Sequence, residues 1–426
     1  MPTMQDYLTK RRSRVADALK LANEVLVIGA GEPLPIPGGA DQTYRFIPHA
    51  EYRYLADRAT PSAVVAYDPQ AGWLDFLPPV TEDERIWEGR QPFDWGEAKP
   101  LTDLGDWLAA RRGRPVVNLG CQLQDIASDP ARVAEVREAL MQARRPKDSV
   151  EIDRIRRAVA ATAAGFTRAS EAIKPGATER DVQIEMEAEF FRRGADRTGY
   201  GSIVGSGPNS AILHFDPSAR KIGAGELVLI DAGGEIDGYT ADVTRTYAGD
   251  GQLQGFAADL YQVVLKAQMA AIARCTPGAE FRENHLACAR DMAQGLIDLG
   301  VLRGNAAQLV DRDAHALFFP HGLGHLVGLG VRDASGYLPG RQRSTRFGLK
   351  FLRIDLPLQP DYVVTIEPGL YFIPAILQDP ERRHTFADAV NWSLADKHIN
   401  IGGIRIEDDI LATTGAPEVL TREIPK

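Results

Sequence analysis

Asp237-Gly238 stands between two strand-like runs, Gly225 to Asp231 and Tyr239 to Tyr247. An Asp-Gly pair accepts the positive φ angles that a two-residue hairpin turn demands, so it commits this stretch to an antiparallel pair. The turn also fixes the register. Asp231 falls opposite Thr244 and Asp242 opposite Gly233, which puts both aspartates on one face. As diagonal neighbours, with Cα atoms roughly 7–8 Å apart, their carboxylates can converge on one small cluster of ions. Asp231 closes the apolar run Leu227-Val228-Leu229-Ile230, where an unpaired carboxylate is costly, so it needs a cation. A plainer alternative has Asp242 solvated or bonded to Arg245.

Three more segments offer donors. Pro320-His321-Gly322-Leu323-Gly324-His325 spaces two imidazoles as helical zinc motifs do, but the two glycines argue for a loop that aims the histidines at different targets. Glu367 ends the apolar Val363-Val364-Thr365-Ile366, and Glu407 lies in Ile404-Arg405-Ile406-Glu407, where strand alternation sets Arg405 and Glu407 opposite the isoleucines. For each glutamate the bland alternative is a half-exposed sheet. Two aspartates, two glutamates and one imidazole would roughly neutralise two divalent ions. Such a carboxylate-rich set favours manganese, with cobalt or zinc as alternatives. Two ions about 3.5–4 Å apart can hold a bridging hydroxide and polarise a carbonyl, which points to hydrolysis.

The 426 residues allow two or three domains, and 44% hydrophobic with 25% charged content is that of a globular protein. A formal charge of −9, without a block of like charges, leaves no footprint for nucleic acid. Three cysteines without a C-x-x-C spacing give neither a disulfide framework nor a thiolate metal site, which fits a cytoplasmic location. No apolar stretch is long enough to span a membrane. The Lys10 to Arg14 basic cluster reads as an exposed helix face.

Strand-like runs at Val25 to Ile28, Ala63 to Tyr67 and Val116 to Leu119 mark a small N-terminal α/β domain over residues 1–145. Gly29-Ala30-Gly31 is not a dinucleotide fingerprint, because the third glycine is missing and Pro33 and Pro35 forbid the helix that would hold a pyrophosphate. A second domain, residues 146–426, opens at Asp148 and Glu151, which stand at capping-box spacing before Ile152, Ile155, Val159 and Phe166 on one helix face. Thr178 caps a further helix with Val182, Met186 and Phe190 on one stripe. Helices over Phe256 to Ala273 and Glu283 to Leu299, and strands over Tyr362 to Glu367 and Gly403 to Leu411, complete a mixed α/β order.

The segments D-A-G-G-E-x-x-G-Y-x-A-D-V-T-R-T-Y, P-H-G-L-G-H, T-I-E-P-G-L-Y and G-I-R-I-E-D-D, in this order, resemble the pita-bread metallopeptidases. Ile203 to Ser210 followed by Ile212-Leu213-His214-Phe215 resembles the proline-specific branch, the prolidases and aminopeptidases P. The resemblance implies that Asp231, Asp242, His325, Glu367 and Glu407 ligate two divalent ions, with Asp242 and Glu407 bridging. It also implies that His214 orients substrate and stabilises the oxyanion, and that His321 is a second active-site histidine. Arg405 would position the bridging glutamate, and Glu367 would shuttle a proton to the departing nitrogen. One departure concerns Val331-Arg332-Asp333, where the family usually has V-H-D. Arginine cannot exchange a proton near neutral pH, so Arg332 is expected to bind charge or orient substrate. Phe351-Leu352-Arg353 and the long segment Phe372 to Ile401 look like prolidase, in which an arginine such as Arg353 pairs with the free carboxylate of a dipeptide.

The expectation is therefore a cytoplasmic, homodimeric, manganese-dependent Xaa-Pro dipeptidase acting on small peptides with proline second. An aminopeptidase P acting on longer peptides is the near alternative. A pita-bread module that has lost catalysis and only binds peptides is the remote one, which metal analysis would separate.

Overall fold

The computed structural model describes residues 3–91 and 97–426 and divides into two compact units, Met1–Arg144 and Arg145–Lys426. In the first unit, α1 (Met4–Leu19) starts at a Thr3–Asp6 capping box. The sheet comprises β1 (Val25–Gly29), β2 (Val64–Asp68), β3 (Gly72–Leu77), β4 (Lys99–Pro100) and β5 (Val116–Gly120), in the order β4-β3-β2-β1-β5. The three expected runs are β1, β2 and β5, with β1 parallel to β5 and antiparallel to β2. Four helices accompany it: α2 (Ala50–Ala56), α3 (Glu82–Trp87), α4 (Leu104–Ala109) and α5 (Pro130–Arg144). Val27, Val64, Ala66 and Phe76 form one cluster of its core, with Trp107 and Leu108 packed against them.

Gly29 is a packing residue, since a Cβ there would lie 2.3 Å from the Cys121 carbonyl oxygen. The basic cluster is not an exposed face. Arg11 is buried over the Tyr54 ring and Arg12 pairs with Asp75 at 2.6 Å, because α1 must turn one side inward and that side carries arginines.

The second unit opens with α6 (Ser149–Ala172), capped by the Asp148–Glu151 box, and α7 (Glu179–Arg192), capped by Thr178 with Asp181. The strands β6 (Arg197–Thr198), β7 (Ile203–Ser206), β8 (Leu227–Ala232), β9 (Gly234–Ile236), β10 (Tyr239–Thr240) and β11 (Val243–Ala248) follow. Asp237 and Gly238 both take positive φ (55° and 86°), and Asp231 pairs with Thr244 as the turn dictates. The expected Tyr239–Tyr247 strand is broken, however. β9 pairs with β10 on one side and with β6 on the other, whereas β8 and β11 belong to a sheet with β7. The break falls at Gly233 and Ala241–Asp242, where a Cβ on Gly233 would meet the Ala241 oxygen at 1.8 Å. That kink leaves Asp242 outside the ladder, its N–H donating to Asp409 Oδ2 at 3.0 Å.

Next come α8 (Gly255–Ala273), α9 (Phe281–Asp298) and α10 (Ala306–Asp311), then β12 (Val363–Ile366) and β13 (Gly369–Tyr371). The segment 372–401 folds into α11 (Pro374–Leu377), α12 (Pro380–Thr385) and α13 (Trp392–Lys397). The chain closes with β14 (Gly403–Arg405), β15 (Asp408–Leu411) and β16 (Glu418–Val419). The expected single strand Gly403–Leu411 is thus two strands: β14 pairs with β13, β15 with β12, and Ile406–Glu407 lies between. Faces of α8 and α9 pack with these strands in the main core, among them Val264, Ala271, Met292, Leu296, Val364 and Ile406. Among the described residues no helix is long and apolar enough to cross a membrane.

Candidate metal centre and active site

Both strand breaks deliver a carboxylate to one place. Asp242, His325 and Glu407 are buried, and their ligand atoms all lie within 4.8 Å of one another. His325 Nε2 is 3.3 Å from Asp242 and 3.8 Å from Glu367 Oε1, so Glu367, just past β12, faces the same space. Asp231 joins through a shared donor: the Tyr200 hydroxyl lies 2.6 Å from Asp231 Oδ1 and also contacts Asp242 Oδ1. All five expected ligands are therefore gathered. Asp242 is not bonded to Arg245, which pairs with Asp408 at 2.8 Å.

The His321–His325 segment is a loop, as its glycines require. A Cβ on Gly324 would lie 1.9 Å from the Thr365 oxygen, so only glycine lets this loop press against β12 and present His325. The Leu326 carbonyl accepts from His325 Nδ1 at 3.2 Å, which leaves the Nε2 lone pair facing the carboxylates.

These residues fit hard divalent cations. Burial, and then Asp242, Glu367 and Asp231, push Glu407 well above the usual carboxylate range. Burial also raises Asp231 and Glu367. Carboxylates crowded in this way must take up either protons or cations, and bound cations remove the repulsion.

Arg405 braces the cluster. It is 3% exposed and donates to Asp231 Oδ2, to the Tyr371 hydroxyl at 2.8 Å and to Thr244 Oγ1 at 3.0 Å. Thr244 donates in turn to Glu407 Oε2 at 2.6 Å. His321 contacts the Gly322 carbonyl through Nδ1 (2.8 Å) and the Tyr371 hydroxyl through Nε2 (2.9 Å). Burial and the Arg405 guanidinium push it down to about 3, so it is neutral at physiological pH.

His214 is exposed, on a loop whose neighbours Leu213 and Phe215 pack against Ile203, Leu229 and Tyr371. Its imidazole is therefore turned to the other side, where partial burial and then Arg353, Arg332 and Arg405 lower its pKa. Arg353 carries a buried Nη1 with no hydrogen-bond partner. Arg332 feels Arg353 and, with opposite sign, Glu367, Asp242 and Asp231, so both guanidiniums belong to the surroundings of the metal centre.

Two contributors were not foreseen from sequence. Tyr200 lies between glycines, and Gly199 packs so closely on Thr240 that a Cβ would meet Thr240 Cγ2 at 2.0 Å. Thr244 was placed opposite Asp231, but its bonds to Glu407 and Arg405 cross to a distant segment. The Gly-Tyr-Gly spacing is a weak hint of the first; nothing local signals the second.

Buried carboxylates and one imidazole, braced by arginine and open to His214, define a metal-dependent hydrolase built on an α/β scaffold. Residues 153–414 match metallopeptidase family M24, and the chain belongs to that family. It is 29% identical over 414 residues to a probable Xaa-Pro aminopeptidase of Botryotinia fuckeliana, covering 94% of this chain and 90% of the relative. A Metarhizium robertsii protein named probable Xaa-Pro aminopeptidase is 30% identical, covering 93% and 87%. Among solved structures, zinc-substituted Escherichia coli aminopeptidase P in complex with product has a TM-score of 0.82 at 27% identity, covering 100% of this chain and 97% of that one. Pseudomonas aeruginosa aminopeptidase PepP gives 0.80 at 27% identity, covering 100% and 96%. The fold is accordingly an N-terminal α/β domain followed by a pita-bread metallopeptidase domain. These relatives carry the aminopeptidase name, not the prolidase name, and so back the aminopeptidase P alternative better than the dipeptidase expectation drawn from Phe351–Arg353 and the 372–401 segment.

Proposed function

We propose that the protein is an Xaa-Pro aminopeptidase, which hydrolyses the bond between an N-terminal residue and a following proline. The reading rests on the convergence of Asp231, Asp242, His325, Glu367 and Glu407, together with similarity to aminopeptidases P along nearly the whole chain. Those five side chains would hold two divalent ions, manganese by the hardness of the donors, with cobalt or zinc as alternatives. When bound, the ions supply a nucleophilic water and a Lewis acid for the scissile carbonyl. A zinc-substituted relative has been solved, so the donor set of the family accommodates that ion too.

The remaining steps belong to side chains of this protein. His214, neutral at physiological pH, donates a hydrogen bond to the carbonyl oxygen as negative charge develops there. Glu367 takes the proton from the attacking water and delivers it to the proline nitrogen, which must leave as a secondary amine. Arg405 offsets the charge of Asp231 and, through Thr244, fixes Glu407. Both nitrogens of His321 are engaged, so its part is to hold Tyr371 and hence Arg405. Arg332 holds a carbonyl or carboxylate oxygen on the leaving side.

The dipeptidase reading retains one specific observation, the partnerless buried Nη1 of Arg353, which a dipeptide's carboxylate would satisfy. Manganese-loaded protein assayed on an Xaa-Pro dipeptide and the matching Xaa-Pro-Yaa tripeptide, with Arg353→Ala alongside, separates the two. An aminopeptidase cleaves the tripeptide at least as well and keeps that activity in the variant. Preferential dipeptide cleavage that Arg353→Ala abolishes establishes the dipeptidase.

A further inference from the structure

Glu179, the first residue of α7, is fully buried and is none of the groups gathered at the metal centre, yet its carboxylate accepts five hydrogen bonds. Oε1 takes the Ser206 N–H and Oγ, both at 2.8 Å, and Asn209 Nδ2 at 2.9 Å. Oε2 takes the Ser218 N–H at 3.1 Å and Ser218 Oγ at 2.5 Å. The two oxygens therefore grip the two ends of one segment, 206–218, and His214 lies between them. The backbone reinforces the grip, as the N–H groups of Glu179 and Arg180 donate to the carbonyls of Arg220 and Ser218 at 3.1 and 3.0 Å. The near end is tied to the metal side as well, since Ser210 Oγ accepts from the Gly403 N–H at 2.8 Å, at the start of the strand that carries Arg405.

We infer that Glu179 is a positioning residue for His214: its carboxylate clasps both ends of the 206–218 loop and so sets where the imidazole meets the scissile carbonyl. The inference rests on the role proposed for His214. Leu213 and Phe215 fix which way the middle of the loop faces, whereas the distance from His214 to the metal centre depends on where the loop ends are held. A buried carboxylate in this place is satisfied only by donors from both ends, so it selects one loop geometry. Glutamine has the same shape, but its amide turns one side from acceptor to donor. Whichever way it is oriented, it faces N–H donors at one end and releases that end.

The test is a double-mutant cycle on Xaa-Pro-Yaa hydrolysis by manganese-loaded full-length protein, with Glu179→Gln, His214→Ala and both together. The expectation is a loss of kcat/KM on the order of 10- to 100-fold for Glu179→Gln, the loss associated with misplacing a catalytic group by about 1 Å. Manganese bound per chain stays as in wild type, and the double variant is within about twofold of His214→Ala alone, because a residue acting only through His214 has nothing left to position. Glu179→Gln activity within about twofold of wild type, or a full multiplication of the two losses, overturns the inference. Where Glu179→Gln does not fold, Ser218→Ala and Asn209→Ala, each deleting one bond to the Glu179 carboxylate, run through the same cycle with the same two readings. Full activity in His214→Ala would overturn the role of His214 itself, and the clasp with it; a large loss there with no effect of Glu179→Gln overturns the clasp alone.

Discussion

Two buried carboxylate clusters lie side by side at the junction of β14 and β15, and they are built on opposite principles. Asp408 accepts from Arg245 (2.8 Å), Lys426 (2.6 Å), Gln268 (2.7 Å) and Thr421 (2.6 Å), and these partners keep its pKa below the usual carboxylate value despite its burial. Glu407, its neighbour in the chain, has among the described residues a single side-chain donor, Thr244, and burial, followed by the facing Asp242, Glu367 and Asp231, raises its pKa. The first cluster is closed: the charge of Asp408 is compensated within the chain. The second has a surplus of negative charge and is completed only by something from outside. Burial alone thus does not separate a structural carboxylate from a functional one; the balance of its partners does.

The largest effect expected from breaking this contrast is on catalysis. Glu407→Gln or Asp242→Asn removes a proposed ligand and should reduce peptide hydrolysis to roughly the unassisted level, measured as manganese-dependent kcat. Thermal unfolding of the metal-free variants should show a Tm no lower than metal-free wild type, because each change relieves repulsion. A substitution in the closed cluster does the reverse. Asp408→Ala leaves Arg245 and Lys426 without their buried partner and should destabilise the fold by about 3–5 kcal/mol, read by urea unfolding.

Tyr200→Phe sharpens the comparison from within the open cluster. It removes the hydroxyl shared by Asp231 and Asp242 and should weaken manganese binding by about 10- to 100-fold, measured by titration calorimetry, while the fold persists. The smallest effect concerns two imidazoles elsewhere in the same unit. Burial pushes His285 down to about 4 and His315 to about 3, against 6.5 when exposed. Both are neutral when folded, so the unfolded chain binds more protons below about pH 6.5 and stability declines as pH falls from there towards the folded values. Each contributes a slope approaching about 1.4 kcal/mol per pH unit well below its unfolded value. Unfolding of His285→Gln between about pH 6 and 5 should show a shallower slope than wild type.

Local chemistry made much of this legible from sequence. The capping boxes at Asp148 and Thr178 and the Asp237-Gly238 turn act within a few residues, so the helix starts and the pairing of Asp231 with Thr244 could be read directly. The breaks at Ala241–Asp242 and Ile406–Glu407 could not, since they come from β9 and β14 pairing with strands far off in the chain. Tyr200 and Thr244 were missed for the same reason: their partners arrive through tertiary packing. The buried Arg11 shows the converse error, a charge run read as solvated when α1 has to turn it inward.

Manganese bound per chain, measured on protein stripped of metal, reloaded and dialysed, tests the central claim most directly. The account predicts two ions in wild type and fewer in Glu407→Gln, with the Asp408 cluster taking none. Wild-type protein that retains no ion, or a Glu407→Gln variant that binds as many as wild type, would contradict it.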